Sequence, residues 1–210
     1  MDNHWKISYV SVTSLKMHHE DVSHDNVIND SDILGIGENW LEKNERVTLD
    51  EYIGYSANRG KGKGQAGLGG FTKIEFDRKL IAKPKIVVSS KYSGVLLKTS
   101  TFNIIFLYLS AGYPRYAVVT FLENWISDKD FPTAIVGNMN ENILGKTKSK
   151  FQKFMQSKNF HQIIQEPTFL RKSLIDHLYV NEPMQKRHVF YEKNPCSYSD
   201  HDILSLYIPK

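Results

Sequence analysis

The sequence predicts an α+β fold: two mostly antiparallel β-sheets packed face to face, with helices on their outer sides. Three observations predict it. About ten short strand-like segments are interleaved with only three helix-like ones along 210 residues. The run Ile104-Ile105-Phe106-Leu107-Tyr108 is apolar without a break, as expected of a strand buried on both faces. Each sheet must hide an apolar face, and continuous apolar strands need cover on both sides; two packed sheets with outer helices supply both. On this pattern alone a doubly wound α/β sheet would serve equally. With 40% hydrophobic residues, and with 11 Tyr and 11 Phe to fill a core, residues 1–210 read as one globular domain.

In chain order, 5–12 reads as a strand with Trp5, Ile7 and Tyr9 on one face, and 18–29 as a short polar helix anchored by Val22 and Val27. Residues 32–37 form a short apolar strand that ends at Glu38, and 48–55 another strand. From Asn58 to Gly70, six glycines in thirteen residues predict a loop or tight turns, and this loop carries Arg59, Lys61 and Lys63. Strands follow at 71–76, 86–90, 93–98 and 101–109. An amphipathic helix over 116–127 uses Val118, Phe121, Leu122, Trp125 and Ile126, and a strand at 133–136 feeds the turn Gly137-Asn138-Met139-Asn140. A helix over 148–157, then strands at 163–164, 175–180 and 203–208, complete the chain.

The single cysteine, Cys196, excludes an internal disulfide framework and a cysteine-rich zinc site. No apolar run approaches the roughly 20 residues of a membrane helix. Met1-Asp2-Asn3-His4-Trp5-Lys6 is not the start of a secretory signal, so an intracellular protein, nuclear or cytoplasmic and without a membrane partner, is expected. The net charge of +4 permits a polyanionic partner without requiring one. Lys146, Lys148, Lys150 and Lys153 form a second basic cluster, read first as a solvated face.

Polar residues stand at the strand ends: Glu38 after 32–37, Asn138 and Asn140 after 133–136, Asp176 and His177 within 174–180, and Ser199-Asp200-His201-Asp202 before 203–208. Charged and amide groups beside core strands are costly unless paired or metal-bound, although a single strand-terminal Asp or Asn is usually a turn former. The ordered set is more specific. Asp32-Ile33-Leu34-Gly35-Ile36-Gly37-Glu38-Asn39-Trp40-Leu41 resembles the metal-binding glutamate motif of the endonuclease/exonuclease/phosphatase superfamily, whose fold is DNase I-like. Ile104 to Tyr108 resembles its strand ending in an active-site tyrosine, and Ile135-Val136-Gly137-Asn138-Met139-Asn140 stands in the place of its Gly-Asp-Phe-Asn motif. Gln165-Glu166-Pro167-Thr168 with Leu174-Ile175-Asp176-His177, and Tyr198-Ser199-Asp200-His201-Asp202, are similar to its late motifs. The resemblance spans about residues 5–208 and looks most like the endonuclease domains of mobile elements, either LINE-type retrotransposons or Helitron-type helicase-associated domains.

The resemblance implies a magnesium-dependent phosphodiesterase, with manganese as a substitute, acting on DNA and carried within a longer polyprotein. Glu38 matches the metal ligand and Asp200 a second carboxylate on the metal side. His201 matches the histidine that meets the phosphate or handles the water proton, and Asp176 its orienting partner. Tyr108 matches a phosphate contact and Asn140 a positioning amide. Two departures matter. Asn138 replaces the family's proton-transferring Asp, and an amide neither takes nor releases a proton at neutral pH. Ser11 replaces an early Asn; the Asn found soon after the tyrosine in apurinic endonucleases falls near Ala111. The expectation is a weakened DNA endonuclease. The alternatives are an inactive remnant that binds nucleic acid, or a phosphatase or phospholipid phosphodiesterase of the same fold.

Alternation along its strand puts His177 on the face opposite Asp176, so a structural role is expected for it. The other histidines lack ligand spacing. Trp40 and Trp125 are expected in the core. The Arg59 loop lacks the Gly-Lys-Ser/Thr ending of a phosphate-binding P-loop, but Arg59, Lys61 and Lys63 are candidates to contact a phosphate backbone.

Overall fold

The computed structural model describes residues 3–42, 44–58, 67–112, 116–145 and 147–210. The first half contains β1 (His4–Ser11), α1 (His19–His24), α2 (Asn26–Asn29), β2 (Ile33–Gly37), β3 (Tyr52–Ala57), β4 (Leu68–Lys73), α3 (Ile74–Asp77) and β5 (Lys85–Val88). Then come β6 (Tyr92–Lys98), β7 (Asn103–Leu109), α4 (Tyr116–Trp125), β8 (Thr133–Asn138), α5 (Lys150–Ser157) and β9 (Phe160–Gln162). The chain closes with β10 (Asp176–Asn181), α6 (Glu182–Gln185), β11 (Phe190–Asn194) and β12 (Ile203–Pro209).

The strands form two six-stranded sheets, ordered β11-β12-β1-β2-β4-β3 and β5-β6-β7-β8-β10-β9. Each sheet has one parallel pair at its centre, β1 with β2 and β7 with β8, and its other neighbours are antiparallel. This is the four-layer α/β-sandwich arrangement predicted, and the unbroken apolar run of β7 shows why it forms. Ile104, Phe106 and Tyr108 face the other sheet, while Ile105, Leu107 and Leu109 face the layer of α4 and α5. A third cluster, with Val10, Leu34 and Ile36, packs the other outer face against Val22 and Ile28 of α1 and α2. The sheets approach closely where β2 carries glycine: a Cβ on Gly35 would overlap the Phe106 ring.

Several boundaries differ from the sequence reading, each for a local reason. The helix expected over 18–29 is two helices, because Asp25 accepts hydrogen bonds from the backbone N–H groups of Val27 (2.8 Å) and Ile28 (3.2 Å) and starts a second one. Ile28, not Val27, is its fully buried contact. Gly69 and Gly70 lie in a strand and not in a turn; a Cβ on Gly69 would stand 2.8 Å from the Phe71 ring. Residues 74–77 are helical where strand was expected. The α5 helix starts two residues inside the predicted range, where Ser149 and Gln152 form a capping box. β11 and α6 had no counterpart in the sequence reading.

Candidate active site

β8 extends two residues beyond the predicted strand, which makes Asn138 its last residue and not part of a turn. That extension sets the site. Asn138 pairs in register with Tyr108 of β7 on one side and Asp176 of β10 on the other. Three of the candidate residues therefore stand side by side on neighbouring strands, facing the first sheet. Opposite them, Ser11 ends β1 beside Gly37, and Glu38 follows at once. His201 lies two residues before β12, which is paired with β1. A site assembled at the ends of central strands from both sheets follows from this topology.

Asn138 is fully buried and joins the two sheets. Its backbone N–H donates to the Tyr9 hydroxyl at 3.0 Å. Its Oδ1 accepts from the Asn140 N–H at 2.8 Å, which turns the Nδ2 amide toward Glu38 Oε1 at 3.3 Å and Ser11 Oγ at 3.5 Å. Asn140, with φ of 48°, donates from Nδ2 to the Leu109 carbonyl at 2.8 Å and so ties the end of β7 to the end of β8. The Tyr108 hydroxyl donates to the Glu38 carboxylate. Glu38 sits at φ 50°, a left-handed turn that aims its side chain back across the gap.

The Asp176 and His201 pair is buried. His201 Nδ1 is 2.7 Å from Asp176 Oδ2, and the same oxygen accepts from the Thr168 hydroxyl at 2.9 Å. Thr168 Oγ1 in turn accepts from the N–H of Asp176 at 3.1 Å, so its hydroxyl locks both ends of that residue. The Phe169 ring lies 4.8 Å from the His201 ring, and Ser199 Oγ accepts from the His201 N–H at 3.1 Å. With Nδ1 donating to Asp176, His201 Nε2 faces Asp200 Oδ1 at 3.8 Å. Burial lowers the affinity of His201 for its proton, but Asp176, with Glu38 and Asp200 behind it, outweighs burial and raises its pKa. Burial also raises the pKa of Glu38; His201 opposes the shift and Asp176 and Asp200 add to it. Burial, then Asp176, pushes the Tyr9 phenol well above its usual value and keeps it protonated.

Glu38, Tyr108, Asn138, Asn140, Asp176, Asp200 and His201 thus meet at one end of the sandwich. Arg59, Lys61 and Lys63 lie outside the described residues. His177 points away: its Nε2 is 2.9 Å from the Glu141 carbonyl and its Nδ1 3.3 Å from the Tyr179 hydroxyl, on the helix side of the sheet. Lys148, Lys150 and Lys153 are exposed. Trp40 corrects the expectation of a core residue, since it is 53% exposed. Asn39 takes the buried position instead, donating to Asn58 Oδ1 at 3.0 Å and accepting from the Leu41 N–H at 3.2 Å; the positive φ of Trp40 turns the indole outward. Sequence reasoning passed over Thr168 and Tyr9. Thr168 lies in a quoted motif, but nothing in the sequence marks Tyr9, because its partner is 129 residues away.

The donor set suits a hard cation. Among the described residues no group of three or more His, Cys, Asp or Glu side chains is placed to hold a metal ion. Magnesium seldom uses such a group; it is held by one or two carboxylates together with water and substrate phosphate oxygens. Two features fit it here. Asp176 Oδ1 is buried and has no hydrogen-bond partner. Glu38, Asp176 and Asp200 interact closely enough for the other two to raise the Glu38 pKa.

The sequence matches no protein-family model and no curated protein. Solved structures do match it. The endonuclease domain of TRAS1, a telomere-specific non-LTR retrotransposon, aligns at TM-score 0.69 and 13% identity over 98% of both chains. The 3′-5′ exonuclease NExo from Neisseria meningitidis aligns at TM-score 0.73 and 13% identity, covering 98% of this chain and 100% of its own. The AP endonuclease LMAP from Leishmania major aligns at TM-score 0.73 and 12% identity, covering 100% of this chain and 89% of its own.

Proposed function

We propose, from a DNase I-like fold shared with endonucleases, exonucleases and a phosphatase, that residues 1–210 form a single nuclease domain of mobile-element origin, which acts on DNA and is slowed at its proton-transfer position. The observation that carries this reading is the register row Tyr108, Asn138, Asp176 facing Glu38 and His201. The retrotransposon endonuclease among the structural neighbours supports the mobile-element origin.

Glu38 and Asp200 are the residues to hold magnesium or manganese, which when bound would neutralise charge on a phosphodiester oxygen. His201, whose protonated form Asp176 favours against the cost of burial, directs Nε2 toward a phosphoryl oxygen, and Tyr108 adds a donor beside Glu38. These donors are fixed before substrate arrives, so they stabilise developing charge without reorganising. Asn138 orients Glu38 and Asn140, but its amide cannot activate water or protonate a leaving oxygen. Loss of such a group commonly costs about 10²–10⁴ in rate. Arg59, Lys61 and Lys63 are proposed as phosphate-backbone contacts. An inactive, DNA-binding remnant is the second reading. It is favoured by the Asn138 amide that already occupies one oxygen of Glu38.

The test is nicking of supercoiled plasmid in magnesium. Wild type should nick slowly, Asn138→Asp at least about tenfold faster, and Glu38→Ala not at all, by the acid-base factor above. Equal rates for wild type and Asn138→Asp would remove the role assigned to that position. If neither cuts although both are folded and bind DNA, the remnant reading holds.

A further inference from the structure

The end of the sandwich remote from Glu38 contains a cavity of about 480 Å³. Among the described residues Arg78, Lys79, Arg187 and Lys210 line it around Trp5 and no Asp or Glu side chain does, although Lys210 also acts on the Asp32 carboxylate. Trp5 is near the start of β1 and Ser11 at its end; six residues at roughly 3.3 Å each separate this cavity from the candidate active site by about 20 Å. Phe102 likewise precedes β7, whose other end carries Tyr108.

The cavity is organised from within. Phe76 braces the Trp5 ring edge-on at 5.1 Å. The Nζ atoms of Lys79 and Lys210 stand 5.1 and 4.5 Å from the Trp5 ring. Arg187 lies over Phe102 at 5.8 Å and donates to the carbonyls of Thr101 at 3.0 Å and Pro209 at 2.9 Å. Those two bonds fix the guanidinium plane and leave three of its five N–H donors for a ligand. Ile81, 64% exposed, adds an apolar wall. Like charges that converge on a concave surface raise a positive potential there, which an anion relieves. Planar Arg donors match phosphate oxygens, and the volume falls in the range of small-molecule sites.

We propose that this cavity binds a phosphate-bearing small molecule of nucleotide size, at a site separate from the nuclease centre. The four cations line one pocket, and a recess of this volume suits a small free ligand better than a nucleic-acid backbone. The phosphates meet Arg187 and Lys79, and the apolar end of the ligand meets Ile81.

The experiment is a calorimetric titration of the full chain with ADP and, separately, with a short DNA duplex. EDTA is present, so that no divalent ion bridges phosphate to Glu38. Saturable ADP binding is expected, weakened at least tenfold in the double variant Arg78→Glu, Lys79→Glu, whose thermal midpoint matches wild type. Trp5→Phe should keep the heat of binding and lose the change in tryptophan fluorescence that accompanies it. Absence of saturable ADP binding, or unchanged affinity in the double variant, overturns the proposal. So does a double variant that weakens the DNA duplex alone, since that marks a backbone contact face. None of these outcomes bears on Glu38 or Asn138, so the nuclease reading stands or falls separately.

Discussion

Asn138 Nδ2 donates to Glu38 Oε1 across 3.3 Å and so links the end of β8 in one sheet to the residue after β2 in the other. An amide thus stands at the position where the resembled Gly-Asp-Phe-Asn motif led to the expectation of a carboxylate.

Asn138→Asp should therefore be less stable than wild type in EDTA, because it sets two carboxylate oxygens at that distance in a buried site. A lost buried hydrogen bond with an unpaired acceptor costs about 1–3 kcal/mol, or several degrees of Tm for a domain of this size. Magnesium should recover the loss and raise the Tm of the variant more than that of wild type. An equal magnesium shift in both proteins, by thermal denaturation, would place Asn138 outside the cation position.

Stability should fall as pH rises. The folded-state pKa of His201 is raised above its unfolded value near 6.5, so the stabilisation from its pair with Asp176 is complete below that value and is lost as pH climbs through the folded pKa. Glu38, also raised, acts in the same direction from a lower pH upward. Denaturant unfolding from pH 5 to 9 in EDTA checks this. His201→Gln should flatten the upper part of the profile and leave the lower part.

Thr168→Val keeps shape but removes the hydroxyl that serves Asp176 Oδ2 and the N–H of Asp176. A loss of about 1–3 kcal/mol is expected from buried groups left unpaired. With the orientation of Asp176 relaxed, the pH midpoint of the His201 titration, read by NMR, should shift toward its ordinary value. A stability loss with no shift would make Thr168 purely structural.

Gly37→Ala tests how tightly the side chains of β1 pack against β2 under the site. A Cβ there would overlap the Tyr9 hydroxyl and lie 2.8 Å from Ser11 Oγ. Overpacking of this kind costs about 1–3 kcal/mol. Here it should also displace the Tyr9 hydroxyl from the Asn138 N–H, which hydrogen exchange at Asn138 would reveal as lost protection. Paired with Tyr9→Phe, Gly37→Ala should cost less than in the wild-type background, because the clashing oxygen is gone.

Much of the architecture was legible because its causes are local. The apolar run of β7 fits a strand covered on both faces, and the helical spacing of Val118 and Leu122 lines α4 against a sheet, with Ile126 just past its end. Motif order likewise put Glu38, Asn138, Asp176 and His201 at strand ends. Weak or competing local signals misled the reading elsewhere. Gly69 and Gly70 look like turn residues, yet the Phe71 ring and Val95 fill the space their side chains would take. Trp40 looks like core, yet the backbone turn that buries Asn39 excludes it.

The sequence by itself determined which residue types stand at each strand end and that the core strands need cover on both faces, because side-chain alternation and apolar runs act over a few residues; it was the order of motifs, not the pattern, that chose two packed sheets. Only the tertiary structure decided which way each group faces. The register of β7, β8 and β10 aligns Tyr108, Asn138 and Asp176, and sheet packing lets Tyr9 reach Asn138. Packing alone also gathers Trp5, Lys79 and Arg187 around one cavity. Distances between residues far apart in sequence depend on pairing and packing over the whole chain, and no local pattern encodes them.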